Sequence, residues 1–297
     1  MAYACIDIGS NTTRLLVAEA ADGQLRELLQ QRAFTRIGKG RRREDRIEEA
    51  KIAEVAQVVA TQVRLAEELG ALELRAVATA AIRQSPNGDE LVAAIREQAG
   101  VDVHILDGEE EARLAFVGAT RTLAHRPDGE VGVVDVGGGS SELALGTLAG
   151  GVRWSASFRV GSGFLADAYL HSDPPSIDEL HAVRQHALGA FEGVELKAPA
   201  LGVAVGGSAT SLRRLVGAHL EHETLERGVR VLATNPIGEV ARRFELAPER
   251  VRLLPAGILI LEAISDCLGL PLQIGRGGLR EGVILEMIGG ENGNGSI

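Results

Sequence analysis

The sequence predicts an α/β protein made of two similar halves, and three observations lead to this prediction. Apolar runs typical of strands alternate with segments of helical periodicity along the 297 residues. A strand-turn-strand pattern around Asp7 recurs around Asp135, which lies 135 − 7 = 128 positions later. With 45% apolar and 24% charged side chains, the chain is too apolar for disorder and long enough for two domains.

Composition excludes several classes of protein. The 31 basic and 41 acidic side chains give a net charge of −10, which argues against a general nucleic-acid binder, and 3% aromatic residues make base-stacking platforms unexpected. Cys5 and Cys267 lie too far apart in sequence to indicate a disulfide scaffold or a zinc module. The chain shows no basic leader and no uninterrupted membrane-length apolar run, so we expect a cytoplasmic protein without a membrane partner.

In the first half, the repeated pattern predicts strands over residues 4–8 and 13–18, followed by a turn at Asp22-Gly23 into a third extended segment. Residues 46–69 carry apolar side chains at helical spacing and stop at Gly70, which is typical of a helix C-cap. The remaining predictions are strands over 72–78 and 101–106 and helices over 89–98 and 109–123. This alternation is typical of α/β domains.

Residues 125–130 predict the junction between two domains, because they are polar and contain Pro127 and Gly129. We therefore expect a first domain over residues 1–125, a second over 126–290 and a disordered tail over 291–297. After the second copy of the pattern and its Gly150-Gly151 turn, strands are predicted near 201–205 and 272–274. Helices are predicted near 163–169, 177–191, 209–216, 237–244 and 256–268.

The two repeated turns carry the chemistry of the sequence. A turn of the form Asp-x-Gly followed by small residues presents backbone N–H groups to an anion, and glycine allows a phosphate to approach without a Cβ in the way. Asp7 and Asp135, at the ends of the strands, are residue types that hold Mg²⁺ or its waters. A single such turn is also explained by local backbone geometry, whereas two copies in equivalent settings favour a phosphate site.

Six separated motifs extend this interpretation over nearly the whole chain. They read Cys5-Ile6-Asp7-Ile8-Gly9-Ser10-Asn11, Ala78-Thr79-Ala80-Ala81-Ile82-Arg83, Gly108 with Glu110-Glu111-Ala112, Asp135-Val136-Gly137-Gly138-Gly139-Ser140-Ser141-Glu142, Gly206-Gly207-Ser208-Ala209-Thr210 and Arg280-Glu281-Gly282. Their order resembles that of the exopolyphosphatase/guanosine pentaphosphate phosphatase family. The resemblance implies the duplicated fold of actin, sugar kinases and the Hsp70 ATPase, which is ribonuclease H-like, with two domains around a cleft.

The resemblance also implies a role for individual residues. Glu111 matches the family glutamate that positions and deprotonates the attacking water, and a carboxylate suits phosphoanhydride cleavage because its loose transition state requires mainly positioning. The metal-linked carboxylates would be Asp7, Asp135 and Glu142. The phosphate-binding residues would be Gly9, Ser10, Asn11, Arg83, Gly137, Gly138, Gly139, Ser140, Gly207 and Ser208.

Each of these residues also has a structural explanation. Glu110 and Glu111 suit the first turn of a helix, where the dipole favours acids, and Arg83 suits a surface salt bridge. The Gly206-Gly207-Ser208 turn suits close packing of a strand on a helix. The basic segment 35–43, which contains Arg36 and Arg41, either steers a polyanion or is a solvated loop balanced by the acids that follow it. The paired histidines at 181/186 and 219/222 are expected at the surface.

We therefore expect a Mg²⁺-dependent exopolyphosphatase that releases orthophosphate from the end of inorganic polyphosphate. The alternative enzyme is a guanosine pentaphosphate 5′-phosphohydrolase, and the alternative of another class is a non-catalytic sensor of polyphosphate or alarmone. A sugar or acetate kinase would need an adenosine pocket and an acceptor base, and the motif series favours hydrolysis. The family implies a homodimer, and because longer members continue well past the Arg-Glu-Gly motif, we expect short polyphosphate chains as substrates.

Overall fold

The structure of the chain is a computed structural model that describes residues 1–21, 24–38, 45–123 and 125–293. The chain divides into two compact units, which we call unit 1 and unit 2. Unit 1 contains Met1–Thr122 and Gly277–Ile297, and unit 2 contains Leu123–Arg276. Within the described ranges, no helix combines the length and the apolarity needed to cross a membrane.

Unit 1 is built on a five-stranded sheet. Its strands are β1 (Ala2–Ile8), β2 (Thr13–Ala21), β3 (Gln24–Ala33), β4 (Ala71–Ala78) and β5 (Val103–Ile105), and its helices are α1 (Glu49–Glu68), α2 (Ala80–Arg83), α3 (Gly88–Ala99), α4 (Gly108–Arg121) and, from the end of the chain, α12 (Leu279–Gly293). The strand order is β3-β2-β1-β4-β5, with β1 antiparallel to β2 and parallel to β4. Gly70, at φ +72°, follows α1 as the sequence predicts.

Unit 2 is built on a six-stranded sheet. Its strands are β6 (Val131–Val136), β7 (Ser141–Thr147), β8 (Gly151–Phe158), β9 (Leu201–Val205), β10 (His219–Leu220) and β11 (Leu272–Ile274), and its helices are α5 (Ser162–Tyr169), α6 (Ile177–Ala190), α7 (Gly206–Val216), α8 (His222–Thr234), α9 (Ile237–Phe244), α10 (Pro248–Val251) and α11 (Leu254–Leu268). The order β8-β7-β6-β9-β11 repeats the order of unit 1, with β10 added at the edge. This repetition confirms the duplicated α/β fold.

The core of unit 1 explains why β1 is apolar on both of its faces. Ile6 and Ile8 face the core that α1 and α3 cover, whereas Tyr3 and Cys5 face the core formed with α4 and α12. A strand that is covered on both faces has no solvent side, so its sequence lacks the alternation of a half-exposed strand. Cys5 is buried and free, as expected for a small apolar residue.

The end of the chain corrects our predicted domain ranges. We assigned residues up to 290 to the second domain, but the chain from Gly277 onward belongs to unit 1. Helix α12 packs directly on α4, and glycines at the contact allow this close approach. A Cβ on Gly282 would lie 2.0 Å from the Leu114 carbonyl oxygen, and a Cβ on Gly118 would lie 1.9 Å from the Gly278 carbonyl oxygen. Helix α12 also includes the first residues of the predicted tail, and residues 294–297 lie outside the described part of the chain.

Candidate functional site

The two repeated turns have the same backbone geometry. In unit 1 the Gly9 amide donates to the Thr12 carbonyl at 3.0 Å, and in unit 2 the Gly137 amide donates to the Ser140 carbonyl at 3.0 Å. A Cβ on Gly9 would lie 3.2 Å from the Thr12 carbonyl oxygen, and a Cβ on Gly137 would lie 3.0 Å from the Ser140 carbonyl oxygen. Both turns are therefore tight enough to favour glycine at these positions. We call residues 9–12 the first loop and residues 137–140 the second loop.

The first loop is held from the side by the segment that follows β3. The amide of Arg36 donates to the Asn11 carbonyl at 3.0 Å, and the amide of Gly38 donates to the Ser10 carbonyl at 2.9 Å. Arg36 itself has a φ of +50°, a left-handed conformation that costs a non-glycine residue about 1–3 kcal/mol and persists only where its surroundings fix it. The predicted basic segment therefore begins against the first loop, while its residues 39–43 lie outside the described part of the chain.

Asp7 ends β1 immediately before the first loop, and its cross-strand partner on β2 is Arg14. Burial raises the pKa of the Asp7 carboxyl above its ordinary value, whereas the positive charges of Arg14 and Arg280 act in the opposite direction and the negative charge of Glu281 adds to the rise. The carboxylate of Asp7 thus lies close enough to two arginines to feel their positive charges.

An ion pair joins two residues that the sequence analysis assigned to different roles. Arg83 Nη1 donates to Glu111 Oε2 at 3.1 Å and to the Leu106 carbonyl at 2.5 Å. Glu111 is buried, with 8% of its surface exposed, in the first turn of α4. The helix starts there because the Asp107 side chain caps it by accepting from the Glu110 amide at 2.8 Å. Arg83 therefore contacts the predicted catalytic carboxylate directly, a pairing that the sequence did not predict.

The neighbouring Glu110 differs from Glu111 in its surroundings. Glu110 Oε2 lies 3.1 Å from His104 Nε2, and the two side chains are 34% and 67% exposed. Because consecutive helical residues point about 100° apart, the α4 backbone directs one carboxylate inward to Arg83 and the other outward to His104. The two glutamates therefore have different partners and different exposure, and the catalytic role of Glu111 stays a prediction.

The second loop is held by the start of α5. The Ser162 amide and hydroxyl donate to the Gly137 carbonyl at 2.9 and 3.1 Å, and the Phe164 amide donates to the Gly138 carbonyl at 2.9 Å. A Cβ on Gly161 would come within 2.5 Å of Gly138, so the approach of helix and loop depends on glycine at this position. We did not single out Gly161 or Ser162 from the sequence.

Two of the predicted metal-linked carboxylates form a cross-strand pair. Asp135 on β6 lies opposite Glu142 on β7, so both side chains point to the same face of the sheet. Glu142 is 2% exposed, and its Oε1 accepts from the Ser157 hydroxyl at 2.8 Å. Like charges directly opposite each other are unfavourable in a sheet, and a cation between them reverses the sign of that interaction.

The third predicted turn lies against this acidic pair. Gly206 has a φ of +84°, and a Cβ there would fall 2.0 Å from Asp135 Oδ1, so the carboxylate of Asp135 lies in the place that another residue's side chain would fill. Gly207 is buried, and Ser208 is 2% exposed and donates its hydroxyl to Ser162 Oγ at 3.2 Å. The Ser208 hydroxyl therefore contacts Ser162, which in turn donates to the second loop.

The donor set of unit 2 fits a magnesium ion. Two carboxylates on one face of a sheet supply oxygen ligands of the kind Mg²⁺ prefers, and Mg²⁺ usually keeps several waters and takes its remaining ligands from phosphate. Among the described residues, no group of three or more His, Cys, Asp or Glu side chains is placed to hold a metal by itself. A site of this kind would bind the ion weakly alone and more tightly together with a phosphate ligand.

Comparison with known proteins identifies relatives over the whole chain. An uncharacterised protein of Streptomyces coelicolor is 31% identical over 97% of this chain and 90% of its own length. Exopolyphosphatase 1 of Mycobacterium leprae is 28% identical over 98% of this chain and 91% of its own length. The relatives are therefore of similar length to this chain.

Solved structures lead to the same group. The crystal structure of the Aquifex aeolicus member of the Ppx/GppA family is 29% identical, with a TM-score of 0.82, and the match covers 98% of this chain and 99% of that one. An exopolyphosphatase from Cytophaga hutchinsonii shares the fold, with a TM-score of 0.87 at 21% identity, over 98% of each chain. The model of the Ppx/GppA phosphatase family matches residues 16–291. Motifs, duplicated fold and family match agree, and the chain belongs to the Ppx/GppA phosphatase family.

Proposed function

We propose that this phosphatase-family enzyme is a Mg²⁺-dependent exopolyphosphatase that removes the terminal phosphate of inorganic polyphosphate as orthophosphate. The observation that carries the proposal is the ion pair between the part-buried Arg83 and the buried Glu111, because it fixes a carboxylate of the type needed to orient water. The curated relatives named exopolyphosphatase 1, which match this chain over 98% of its length, support the choice of substrate.

In the proposed reaction, Glu111 orients a water molecule toward the terminal phosphorus and accepts its proton. The new P–O bond forms to the water oxygen, the bond to the bridging oxygen breaks, and the shortened polyphosphate leaves with the electron pair of that bond. Since phosphoryl transfer proceeds through a loose transition state, catalysis depends mainly on positioning and charge stabilisation. Arg83 fixes the position of the Glu111 carboxylate, and its cationic charge suits a phosphate beside it.

The predicted phosphate ligands belong to both units. The backbone of the first loop (Gly9, Ser10 and Asn11) and of the second loop (Gly137, Gly138, Gly139 and Ser140) would donate N–H groups to phosphate oxygens, and the turn at Gly207 and Ser208 would add its backbone. Asp135 and Glu142 would hold Mg²⁺, with Asp7 as a further carboxylate in unit 1. When bound, Mg²⁺ neutralises negative charge on the phosphate oxygens.

Substrate length follows from how many phosphates these groups can contact. The two loops, Arg83 and the Gly207 turn supply enough donors for the first few phosphates of a chain. Binding energy would then saturate early, and kcat/KM per chain end would rise little beyond short oligomers. We accordingly propose short polyphosphates as preferred substrates and distributive cleavage of long ones.

Guanosine pentaphosphate is the second candidate substrate. The name of the Ppx/GppA family joins the exopolyphosphatases and the guanosine pentaphosphate phosphatases, and both reactions break a terminal phosphoanhydride bond. The leaving group alone differs, being a nucleotide in one case and a shorter polyphosphate in the other. We further propose, on the family resemblance alone, that the enzyme is a homodimer and acts in the cytoplasm.

The test is a phosphate-release panel on the purified chain with tripolyphosphate, long polyphosphate, guanosine pentaphosphate and ATP, each with and without Mg²⁺. We expect the highest kcat/KM with polyphosphate and loss of turnover without Mg²⁺. Faster release from guanosine pentaphosphate would transfer the assignment to the nucleotide. Tight binding of polyphosphate without any release would make the chain a sensor, and release that does not depend on Mg²⁺ would remove the metal from the proposal.

A further inference from the structure

Ser157 is the residue from which we draw a further inference. It lies on β8, opposite Glu142 in the register of the sheet, and its hydroxyl donates to Glu142 Oε1 at 2.8 Å. Ser157 is exposed, whereas Glu142 is almost completely buried. The contact therefore joins a solvent-accessible hydroxyl to a buried carboxylate at the edge of the acidic pair.

Ser157 gives a buried carboxylate a hydrogen-bond donor. Glu142 is 2% exposed and lies opposite a second carboxylate, Asp135. A hydroxyl is neutral and adds no charge to this pair, but its hydrogen bond is directional. It restrains the oxygen of Glu142 that points toward β8, and with it the rotation of the carboxylate plane.

The opposite member of the pair is held in a complementary way. The carboxylate of Asp135 lies against Gly206, whose left-handed backbone and missing Cβ leave the space that Asp135 Oδ1 occupies. Gly206 thus makes room for the carboxylate of Asp135, Ser157 donates to the carboxylate of Glu142, and the two carboxylates share one face of the sheet. Metal-binding carboxylates characteristically have such outer hydrogen bonds, which set their orientation and affinity.

We propose that Ser157 is a positioning residue that orients Glu142 for a divalent cation shared with Asp135. The inference rests on the proposed function, because it takes the acidic pair to be the cation site. It goes further in assigning the orientation of that site to an exposed side chain on a third strand. The chemical class of the ligand is a hard divalent cation such as Mg²⁺ or Mn²⁺, which takes carboxylate oxygens.

The chain offers a matched control two residues earlier on the same strand. Ser155 points to the same face of β8 as Ser157 but lies opposite Ala144 instead of a carboxylate. Ser157→Ala and Ser155→Ala remove the same atom from the same strand. Ser157→Thr keeps the hydroxyl and suits a strand, so it serves as the rescue variant.

The test measures the affinity of the purified chain for Mn²⁺ in the absence of substrate. Electron paramagnetic resonance quantifies the ion that remains free. Loss of an outer hydrogen bond typically weakens metal affinity about 10-fold or more, so we expect this change for Ser157→Ala and wild-type affinity for Ser155→Ala and Ser157→Thr. In phosphate release, Ser157→Ala should require about 10-fold more Mg²⁺ for half-saturation and recover most of its kcat at saturating Mg²⁺.

The outcomes separate the inference from the function on which it rests. Wild-type affinity for Mn²⁺ in Ser157→Ala, beside a wild-type chain that binds the ion, would overturn the role of Ser157 and leave the proposed cation site intact. Failure of the wild-type chain to bind Mn²⁺ at millimolar concentrations of the ion, where weak binding is detected, would overturn the cation site and the inference together. An equal loss of Mn²⁺ affinity in Ser155→Ala would show that any substitution on β8 weakens binding through the fold of the strand, which also contradicts the proposal.

Discussion

The two units use the same strand-turn-strand frame but place different partners beside its aspartate. In unit 1 the residue opposite Asp7 is Arg14, whereas in unit 2 the residue opposite Asp135 is Glu142. Opposite charges across the strands attract, whereas two carboxylates directly opposite each other repel, and a bound cation would reverse the sign of that interaction. The two units therefore share a strand-turn-strand frame, and we propose that the cross-strand residue, Arg14 or Glu142, makes unit 2 the one suited to a metal.

The loops differ in the same manner. Each closes with one glycine amide hydrogen bond at 3.0 Å, but the first is supported by the extended segment around Arg36 and the second by the N-terminal turn of α5. The Arg83–Glu111 pair belongs to unit 1 and the acidic pair to unit 2. We propose that unit 1 orients the water and that unit 2 holds the metal.

The largest effect in this division is expected for Glu111→Gln in unit 1. The amide cannot accept a proton from water, so we expect kcat for phosphate release to fall by about 10²-fold or more while the fold is retained. Glu109→Gln, in the same helical turn and exposed, is the matched control and should remain close to the wild-type rate. Near-normal turnover by purified Glu111→Gln would remove this residue from the role.

The next effect tests the difference between the two aspartates. Asp135→Asn removes one charge of the acidic pair, so we expect the Mg²⁺ concentration for half-maximal activity to rise about 10-fold or more. Asp7→Asn changes a carboxylate already opposed by Arg14, and we expect a smaller shift in that concentration even if activity falls. Equal shifts in both Mg²⁺ titrations would contradict the assignment of the metal to unit 2.

A smaller effect concerns the stability of unit 2 in acid. Glu179 closes a capping box at the start of α6, and hydrogen bonds from the amides of Ser176, His171 and Ser172 and the Ser172 hydroxyl lower its pKa from 4.5 to about 2. The ionised form therefore stabilises the folded state above about pH 4.5, and this contribution is lost as the pH falls toward 2.

Glu179→Gln should lower the thermal midpoint by about 2–4 °C at neutral pH, and the difference from wild type should shrink as the pH falls from 4.5 toward 2. Asp178→Asn, in the same helical turn, is the control. A midpoint difference that stays constant from neutral pH down to pH 3 would show that the charge of Glu179 does not stabilise the cap.

The smallest effect has the opposite sign and belongs to unit 1. Because burial raises the pKa of Asp7 in the folded state, ionisation of Asp7 costs stability as the pH rises from its ordinary value through the raised one. Without metal, we expect Asp7→Asn to unfold at a slightly higher temperature than wild type at pH 7–8, measured by differential scanning fluorimetry. A lower midpoint for the variant would mean that Arg14 and Arg280 outweigh burial.

Much of the fold was predictable because helices and strands depend on the spacing of apolar residues and on the glycines close to them in the chain. The alternation of apolar runs and helical periods predicted the α/β class, and Gly70 correctly marked the end of α1. Helices α8 and α12 were not predicted. The apolar positions of α8 that are buried, Leu225 and Leu232, are few among charged residues, and α12 begins at Leu279 directly after two glycines, without a Ser, Thr, Asp or Asn that would predict a helix start.

The sequence did not predict which side chains lie opposite each other on neighbouring strands. A strict two-residue turn at Gly150-Gly151 would place Glu142 opposite Arg159. The observed register shifts between Leu145 and Gly146 and places it opposite Ser157. A difference of two positions in the register thus places Ser157 instead of Arg159 opposite Glu142, and it depends on how the hairpin closes.

The sequence by itself determined the duplicated strands, the two glycine turns and the family, because these depend on residues close together in the chain, and it singled out Glu111 as the predicted catalytic residue. The tertiary structure alone decided that Arg83 contacts Glu111, that α12 belongs to unit 1 and that Gly206 makes room for Asp135. The physical reason is that these contacts join residues far apart in sequence. They form only where strand register and helix packing bring backbones within a few ångströms, and no local pattern of residues encodes that distance.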